Sequence, residues 1–225
     1  MPVFRLTKEL IFPPVRLAEP DGLLAVGGDL SPERLLLAYR LGIFPWFGPG
    51  DPILWWSPAP RLVLLPEEFR ISRRLARLIG QQRFRVTMDT AFCAVIESCA
   101  AMERPGQPGT WITPEMVEAY ATLHELGYGH SVECWLGGEL VGGLYGIELG
   151  EVFFGESMFS RQANASKVAL AALVDRLKNR GGRLIDCQLA TRHLMSLGAR
   201  EIPGAEFQSC LSRYVDRPVT PEKWR

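Results

Sequence analysis

Residues 153–188 carry the pattern that most narrows the folds open to this chain: an apolar strand, a helix with one buried face, and a second apolar strand. Leu170, Leu173, Val174 and Leu177 follow the i, i+3, i+4, i+7 spacing of that helix, while Asp175, Lys178 and Asn179 fall elsewhere around it. Asn164 is suited to cap its start and Gly181 to end it. A two-residue period puts Phe154, Glu156 and Met158 on one face of the first strand and aligns Asp186 with Gln188 on the second. Two carboxylates and an amide are thereby expected to converge. Both strands are otherwise apolar, so a carboxylate there must be solvated in a cleft or paired, because burying it alone is costly.

The rest of the chain divides at about Pro60. Residues 1–60 hold ten of the 17 prolines, which limits regular structure to short pieces and predicts a small, loop-rich N-terminal domain. One helix stands out there, with Ser31 as cap, Pro32 at the first position, Leu35, Leu36 and Tyr39 as its apolar face, and Gly42 at its end. Trp46 and its neighbours Phe44, Phe47, Trp55 and Trp56 form an aromatic loop that must bury part of itself or line a pocket. From residue 61 elements alternate regularly. Strands are expected at 62–65 and 84–88, helices at 72–79 and 91–102, and a loop at 103–110. A helix capped by Thr113, begun by Pro114 and stopped by Gly127 follows. A strand meander comes next, turning at Gly137-Gly138 and Leu149-Gly150. After the strand–helix–strand unit, short helices near 191–197 and 205–214 close the chain. The fold class is α+β, with the N-terminal domain at 1–60 and a mixed-sheet domain at 61–225.

With 47% hydrophobic and 22% charged residues the chain has the composition of a folded globular protein. Its longest apolar run, Val168 to Val174, is far short of the roughly 18 residues of a membrane span. The five cysteines form no close pairs, which suits a reducing cytoplasm and disfavours a zinc knuckle. Net charge is zero, yet seven arginines (61, 70, 73, 74, 77, 83 and 85) face only Glu67 and Glu68 between residues 61 and 87. That stretch is either a phosphate-binding surface or a solvated basic face. Gly155-Glu156-Ser157 lacks the second glycine of a nucleophile elbow. Cys187 is expected to turn away from the Asp186 and Gln188 face as a buried, inert thiol, although His193 lies close in sequence. His130, Cys134 and His124 do not share a helix face, so no metal site is expected. Gly142, Gly143 and Gly146 suit close strand packing better than a phosphate loop.

Six motifs occur in order: Phe44-Pro45-Trp46-Phe47, Trp55-Trp56-Ser57-Pro58, Gly109-Thr110-Trp111-Ile112-Thr113, Phe154-Gly155-Glu156-Ser157-Met158-Phe159-Ser160, Asn164-Ala165-Ser166-Lys167 and Leu184-Ile185-Asp186-Cys187-Gln188. Together they resemble the leucyl/phenylalanyl-tRNA–protein transferase family, from about Gly22 to Glu206. The resemblance implies a GNAT-like acyltransferase domain. It also implies transfer of Leu or Phe, with Met a further donor, from aminoacyl-tRNA to proteins with N-terminal Arg or Lys, which marks them for N-degron proteolysis.

The chemistry of that reaction is modest. An aminoacyl ester is already activated and an α-amine of pKa about 7.7–8.0 is partly neutral at pH 7, so no metal, cofactor or covalent nucleophile is required. A positioned proton acceptor suffices. On this reading Asp186 orients Gln188, Gln188 holds the attacking amine, and Glu156 helps hold the cationic acceptor residue. Phe153, Met158, Leu170 and Ile185 line a pocket for the donor side chain, and a bulge or twist is needed for Phe153 and Met158 to share it. Trp46 and Trp111 stack on the terminal adenosine. Arg73, Arg74, Arg77, Arg83 and Arg85 meet tRNA phosphates. A monomer without membrane partners is expected. Two rivals stay open: a CoA-dependent N-acetyltransferase, which needs glycines that residues 161–166 lack, and a non-catalytic RNA-binding module.

Overall fold

The computed structural model describes residues 3–102, 110–217 and 220–224. The loop expected at 103–110 lies, except for Thr110, outside the described residues. In the proline-rich part the elements are short: β1 (Phe4–Leu6), β2 (Leu23–Gly27), α1 (Pro32–Arg40), β3 (Phe44–Pro45) and β4 (Leu54–Trp56). The strands form one sheet in the order β1-β2-β4-β3. Ser31 precedes α1 but does not cap it with its side chain, because its hydroxyl donates to the stronger, ionised acceptor Asp29 at 2.5 Å. Trp55 is fully buried, and its indole N–H finds the Gly27 carbonyl at 2.8 Å. Trp56 likewise donates to the Trp46 carbonyl at 2.7 Å.

The second sheet begins with β5 (Arg61–Leu64). It continues through α2 (Arg73–Gly80), β6 (Arg85–Met88), α3 (Phe92–Ala100), α4 (Pro114–Glu125), β7 (Gly129–Leu136), β8 (Glu139–Leu149) and β9 (Val152–Ser160). Then come α5 (Ala165–Arg180), β10 (Leu184–Gln188), α6 (Arg192–Met195), β11 (Arg200–Ile202) and α7 (Gly204–Tyr214). Strand order is β11-β5-β10-β9-β8-β7-β6. All neighbours are antiparallel except β9 and β10, which run parallel because α5 carries the chain back between them. The β7–β8 turn is tight because Gly137 and Gly138 both take positive φ, 61° and 89°. Thr113 accepts from the Met116 N–H and so caps α4. Asn164, expected to cap α5, stands in left-handed backbone at φ 71° and makes no such bond; the Ser160 hydroxyl accepts from Ser166 N–H instead, at 3.3 Å.

Strand alternation sends side chains to two cores. Leu170, Leu173, Val174 and Leu177 of α5 pack with Phe153, Leu144 and Ile185 on one face. Phe92, Val95, Met116 and Tyr120 pack with Tyr145, Phe154 and Phe159 on the other, and that core continues without a break into Leu24, Leu35 and Trp55 of the first sheet. A Cβ at Gly142 would collide with Ala165, so the start of α5 rests directly on β8. No described helix is long and apolar enough to cross a membrane.

One charge pair fastens these layers. Arg61 is 1% exposed and Asp186 fully buried. The guanidinium donates through Nε to Oδ1 at 2.8 Å and through Nη2 to Oδ2 at 2.6 Å, and it lies 4.8 Å from the ring centroids of both Phe44 and Phe207. Arg61 therefore leaves the basic surface to which its sequence neighbours assign it. Removing one member strands a buried charge, so Arg61→Ala is expected to lower stability by about 3–5 kcal/mol. The pair Arg61→Met with Asp186→Leu should cost less than either change alone, as measured by urea denaturation of the four proteins.

Candidate active site

Parallel pairing between β9 and β10 stops at Phe154 and Asp186. Just beyond, each strand carries one residue too many for its other neighbour. On β9, Gly155 faces Gly146 and Ser157 faces Tyr145, which leaves Glu156 as a bulge. On β10, Asp186 faces Val63 and Gln188 faces Leu62, which leaves Cys187 as a bulge, with Gln188 in left-handed backbone at φ 61°. A bulge bends its strand and re-aims the following side chains. The two strands part here, and a cavity of about 510 Å³ opens between them. Its walls include Phe153 and Met158 of β9, Leu170 and Leu173 of α5, Ile185 of β10, and Trp46 and Trp111 from outside the sheet. The bulge is what allows Phe153 and Met158 to serve the same side. It also corrects the expected alternation, since Phe154 and Glu156 stay with the opposite core while Met158 crosses to the α5 side.

Glu156 and Gln188 bridge the gap where backbone pairing has ended. Gln188 Nε2 donates to Glu156 Oε1 at 2.9 Å, and the Tyr120 hydroxyl donates to Oε2 at 2.9 Å. Tyr120 in turn is in a short hydrogen bond with Tyr39 of α1. Burial pushes the Glu156 carboxyl up to about 7, and Asp186 adds to the rise; the donors Tyr39, Tyr120 and Gln188 oppose it. Both tyrosine hydroxyls are pushed well above their ordinary value, first by burial and then by Glu156, which keeps them protonated as donors.

Asp186 and Gln188, aligned by simple alternation, are parted in the structure. The Asp186 carboxylate points into the core toward Arg61 and is absent from the cavity wall. It reaches Gln188 only through the backbone, accepting the Gln188 N–H at 2.9 Å. The Cys187 bulge is the physical reason, because it rotates Gln188 away from the Asp186 side chain. Cys187, expected to be buried and turned away from Gln188, is half-buried and lines the cavity beside it; burial and Asp186 push its thiol far up, which disfavours the thiolate a nucleophile needs. His193 also lines the cavity, and burial together with Lys167 lowers it below the ordinary imidazole value.

Residues 63–212 match the family described as leucyl/phenylalanyl-tRNA protein transferase, and residues 28–59 match its N-terminal domain. The leucyl/phenylalanyl-tRNA–protein transferase of Syntrophobacter fumaroxidans is 61% identical over all of this chain and 96% of its own. The chain belongs to the leucyl/phenylalanyl-tRNA–protein transferase family. It is therefore an aminoacyltransferase. The relative from Nitrosomonas eutropha is 56% identical over 95% of this chain and 92% of its own. Among solved structures, a GCN5-related N-acetyltransferase from Kribbella flavida is similar at 14% identity and a TM-score of 0.41, over 76% of this chain and 60% of that one.

Of the residues singled out in the sequence, Glu156, Gln188, Trp46, Trp111, Phe153, Met158, Leu170 and Ile185 line the transferase's cavity. The arginines at 73, 74, 77, 83 and 85 lie elsewhere, all exposed on α2, on β6 and between them. Arg83 and Arg85 rest over Phe84 and Trp135. Sequence reasoning missed Tyr39, Tyr120 and Arg61. Tyr39 reads as a member of an apolar helix face, Tyr120 carries no signal of its own, and the bond joining them spans 81 residues. Arg61 carried one signal, its place directly before the apolar Leu62-Val63-Leu64.

The raised Glu156 value links stability to pH. Between the ordinary carboxyl value of about 4.3 and the folded value near 7, the folded chain holds a proton that the unfolded chain has lost, so this group's contribution falls as pH rises. Wild type compared with Glu156→Gln is expected to lose on the order of 2 kcal/mol between pH 5 and pH 8. Parallel urea titrations at the two pH values check the sign.

Proposed function

We propose that this transferase moves Leu or Phe, with Met as a further donor, from aminoacyl-tRNA to the α-amine of proteins beginning with Arg or Lys, which marks them for N-degron proteolysis in the cytoplasm. The observation that carries this reading is a single cavity that joins apolar walls to the hydrogen-bonded Glu156–Gln188 pair. The apolar walls, Phe153, Met158, Leu170 and Ile185, take the donor side chain, and Met158 supplies a shape that adapts to branched or aromatic groups. Trp46 and Trp111 present ring surface to the terminal adenosine, and stacking of a base on such a ring is worth about 1–3 kcal/mol.

At the polar end Gln188 gives its N–H to Glu156, so its Oε1 is the atom left to accept from the attacking amine. Burial raises the Glu156 carboxyl to about 7, which brings its change of charge into the neutral range. A cationic acceptor residue favours its anion, which then takes the proton released as the amine nitrogen bonds to the ester carbonyl. The carbon–oxygen bond to the tRNA ribose breaks, and the departing oxygen collects that proton from Glu156 to leave as a hydroxyl, which returns the carboxylate. Asp186 acts behind Gln188, fixing the backbone from which the amide projects. Glu156→Gln keeps the outline but loses the anion. It is expected to lower single-turnover transfer of Phe to an Arg-starting peptide by about 10²-fold or more and to remove the rate step near pH 7, leaving only that of the acceptor amine. Transfer at the wild-type rate with an unchanged pH profile would refute the role.

The exposed arginines supply a donor-side surface that reads charge rather than sequence. Replacing Arg73, Arg74 and Arg77 together by Ala should weaken tRNA binding and flatten the dependence of log K on log salt by about 2–3 units. An unchanged slope in filter binding would move the tRNA surface elsewhere.

A further inference from the structure

Residues 220–224 fold back over the sheet and over the end of α4. A Cβ at Gly127 would sit 2.8 Å from the backbone of Pro221 and Glu222, so the segment passes directly across that glycine. Lys223 bonds Glu125 through both carboxylate oxygens, at 2.8 and 2.9 Å, and Glu222 accepts from Arg180 at 2.8 Å. These exposed pairs are weak fastenings. The strong one is Trp224, which is 3% exposed. Its indole stacks on His130 with ring centroids 4.1 Å apart and planes within 4°. The Arg176 guanidinium lies 4.4 Å from its centroid, and its N–H donates to Glu148 Oε2 at 3.1 Å. Its backbone N–H donates to Asp89 Oδ2 at 2.6 Å, the oxygen that also meets His130 Nδ1 at 2.8 Å.

What makes this cluster more than a surface fastening is its other neighbour. The Trp224 ring packs against Phe153 with centroids 5.8 Å apart. Phe153 is fully buried and lines the cavity, whereas Trp224 does not, so the indole backs the ring that forms the cavity wall. Arg176 lies three residues beyond Leu173, another cavity residue on α5. We propose that Trp224 is a positioning residue that sets the depth of the donor side-chain pocket by holding Phe153 forward, an inference that rests on the cavity being that pocket. Without the indole, Phe153 gains room to retreat, and the pocket accepts a longer aromatic group.

The test compares wild type, Trp224→Ala, Trp224→Leu and Trp224→Phe in transfer from Leu-, Phe- and 2-naphthylalanyl-tRNA to an Arg-starting peptide, at a temperature where circular dichroism shows each protein folded. Trp224→Ala is expected to raise kcat/KM for naphthylalanine relative to Leu by about tenfold, mainly through KM. Trp224→Leu should shift the ratio less, and Trp224→Phe should restore most of the wild-type value. Should Trp224→Ala not fold, the Leu variant carries the same comparison, and no change of ratio there overturns the proposal. Equal loss for all three donors, or a lower melting temperature with unchanged selectivity, also overturns it. Failure of wild type to transfer Leu or Phe at all would instead refute the pocket reading beneath it.

Discussion

A guanidinium enclosed by two aromatic rings has lost its water, and only a carboxylate in the right place makes that tolerable. Arg61 meets that condition through Asp186, and the consequences reach most of the molecule. The arginine comes from β5, the aspartate from β10, one flanking ring from β3 in the first sheet and the other from α7. Four elements distant in sequence are thus fixed by one bidentate contact. Asp186 then uses the same Oδ1 to hold the Gln188 N–H, which pins the backbone just where it turns left-handed and leaves the sheet. The ion pair lies off the cavity wall, yet it holds the backbone from which the amide projects.

Two buried carboxylates, Glu133 and Glu156, differ in how far their surroundings satisfy them. Glu133 is fully buried, but three hydroxyls, from Thr87, Thr90 and Ser131, surround it, and it lies away from the cavity between β9 and β10. Glu156 is nearly as buried and receives Tyr120 and Gln188, yet it sits on a cavity wall with burial outweighing its donors. A side chain held close to its midpoint changes charge with small changes nearby, such as the arrival of a cationic substrate. The Tyr39–Tyr120 chain extends that sensitivity from β9 across α4 to α1.

Much of this was legible from residue order, for reasons that differ by element. The bounds of α4, β10 and the Gly137-Gly138 turn follow from local chemistry: a threonine cap, a proline at the first position, an apolar run, two glycines with positive φ. The convergence of Glu156 with Gln188 was legible too, because they sit at equivalent distances along neighbouring strands. A bulge or twist on the first strand follows from asking Phe153 and Met158 to share a pocket, but its place at Glu156 and the second bulge at Cys187 were not legible, since a bulge belongs to a pair of strands and leaves no mark in the period of either one. That is why Asp186 was placed beside the amide and Glu156 beside Met158. Arg61 was misread for a related reason: counted among its sequence neighbours it adds to a basic surface, whereas its partner lies 125 residues away. Ser31 and Asn164 have the side chains of helix caps, but nearby acceptors and a left-handed backbone engage them otherwise.

The two bulges also bear on how such a chain can vary. Because side chains alternate with a period of two, inserting or deleting one residue in a strand normally turns every later side chain to the wrong face. Here each of two adjacent strands already contains one such insertion, and the cavity opens between them. Point replacements around the cavity can adjust its shape while the surplus residues stay. Loss of a single residue near 156 or 187 would let the ladder zip shut. The tolerance of this region is therefore asymmetric, open to changes of side chain and closed to changes of length.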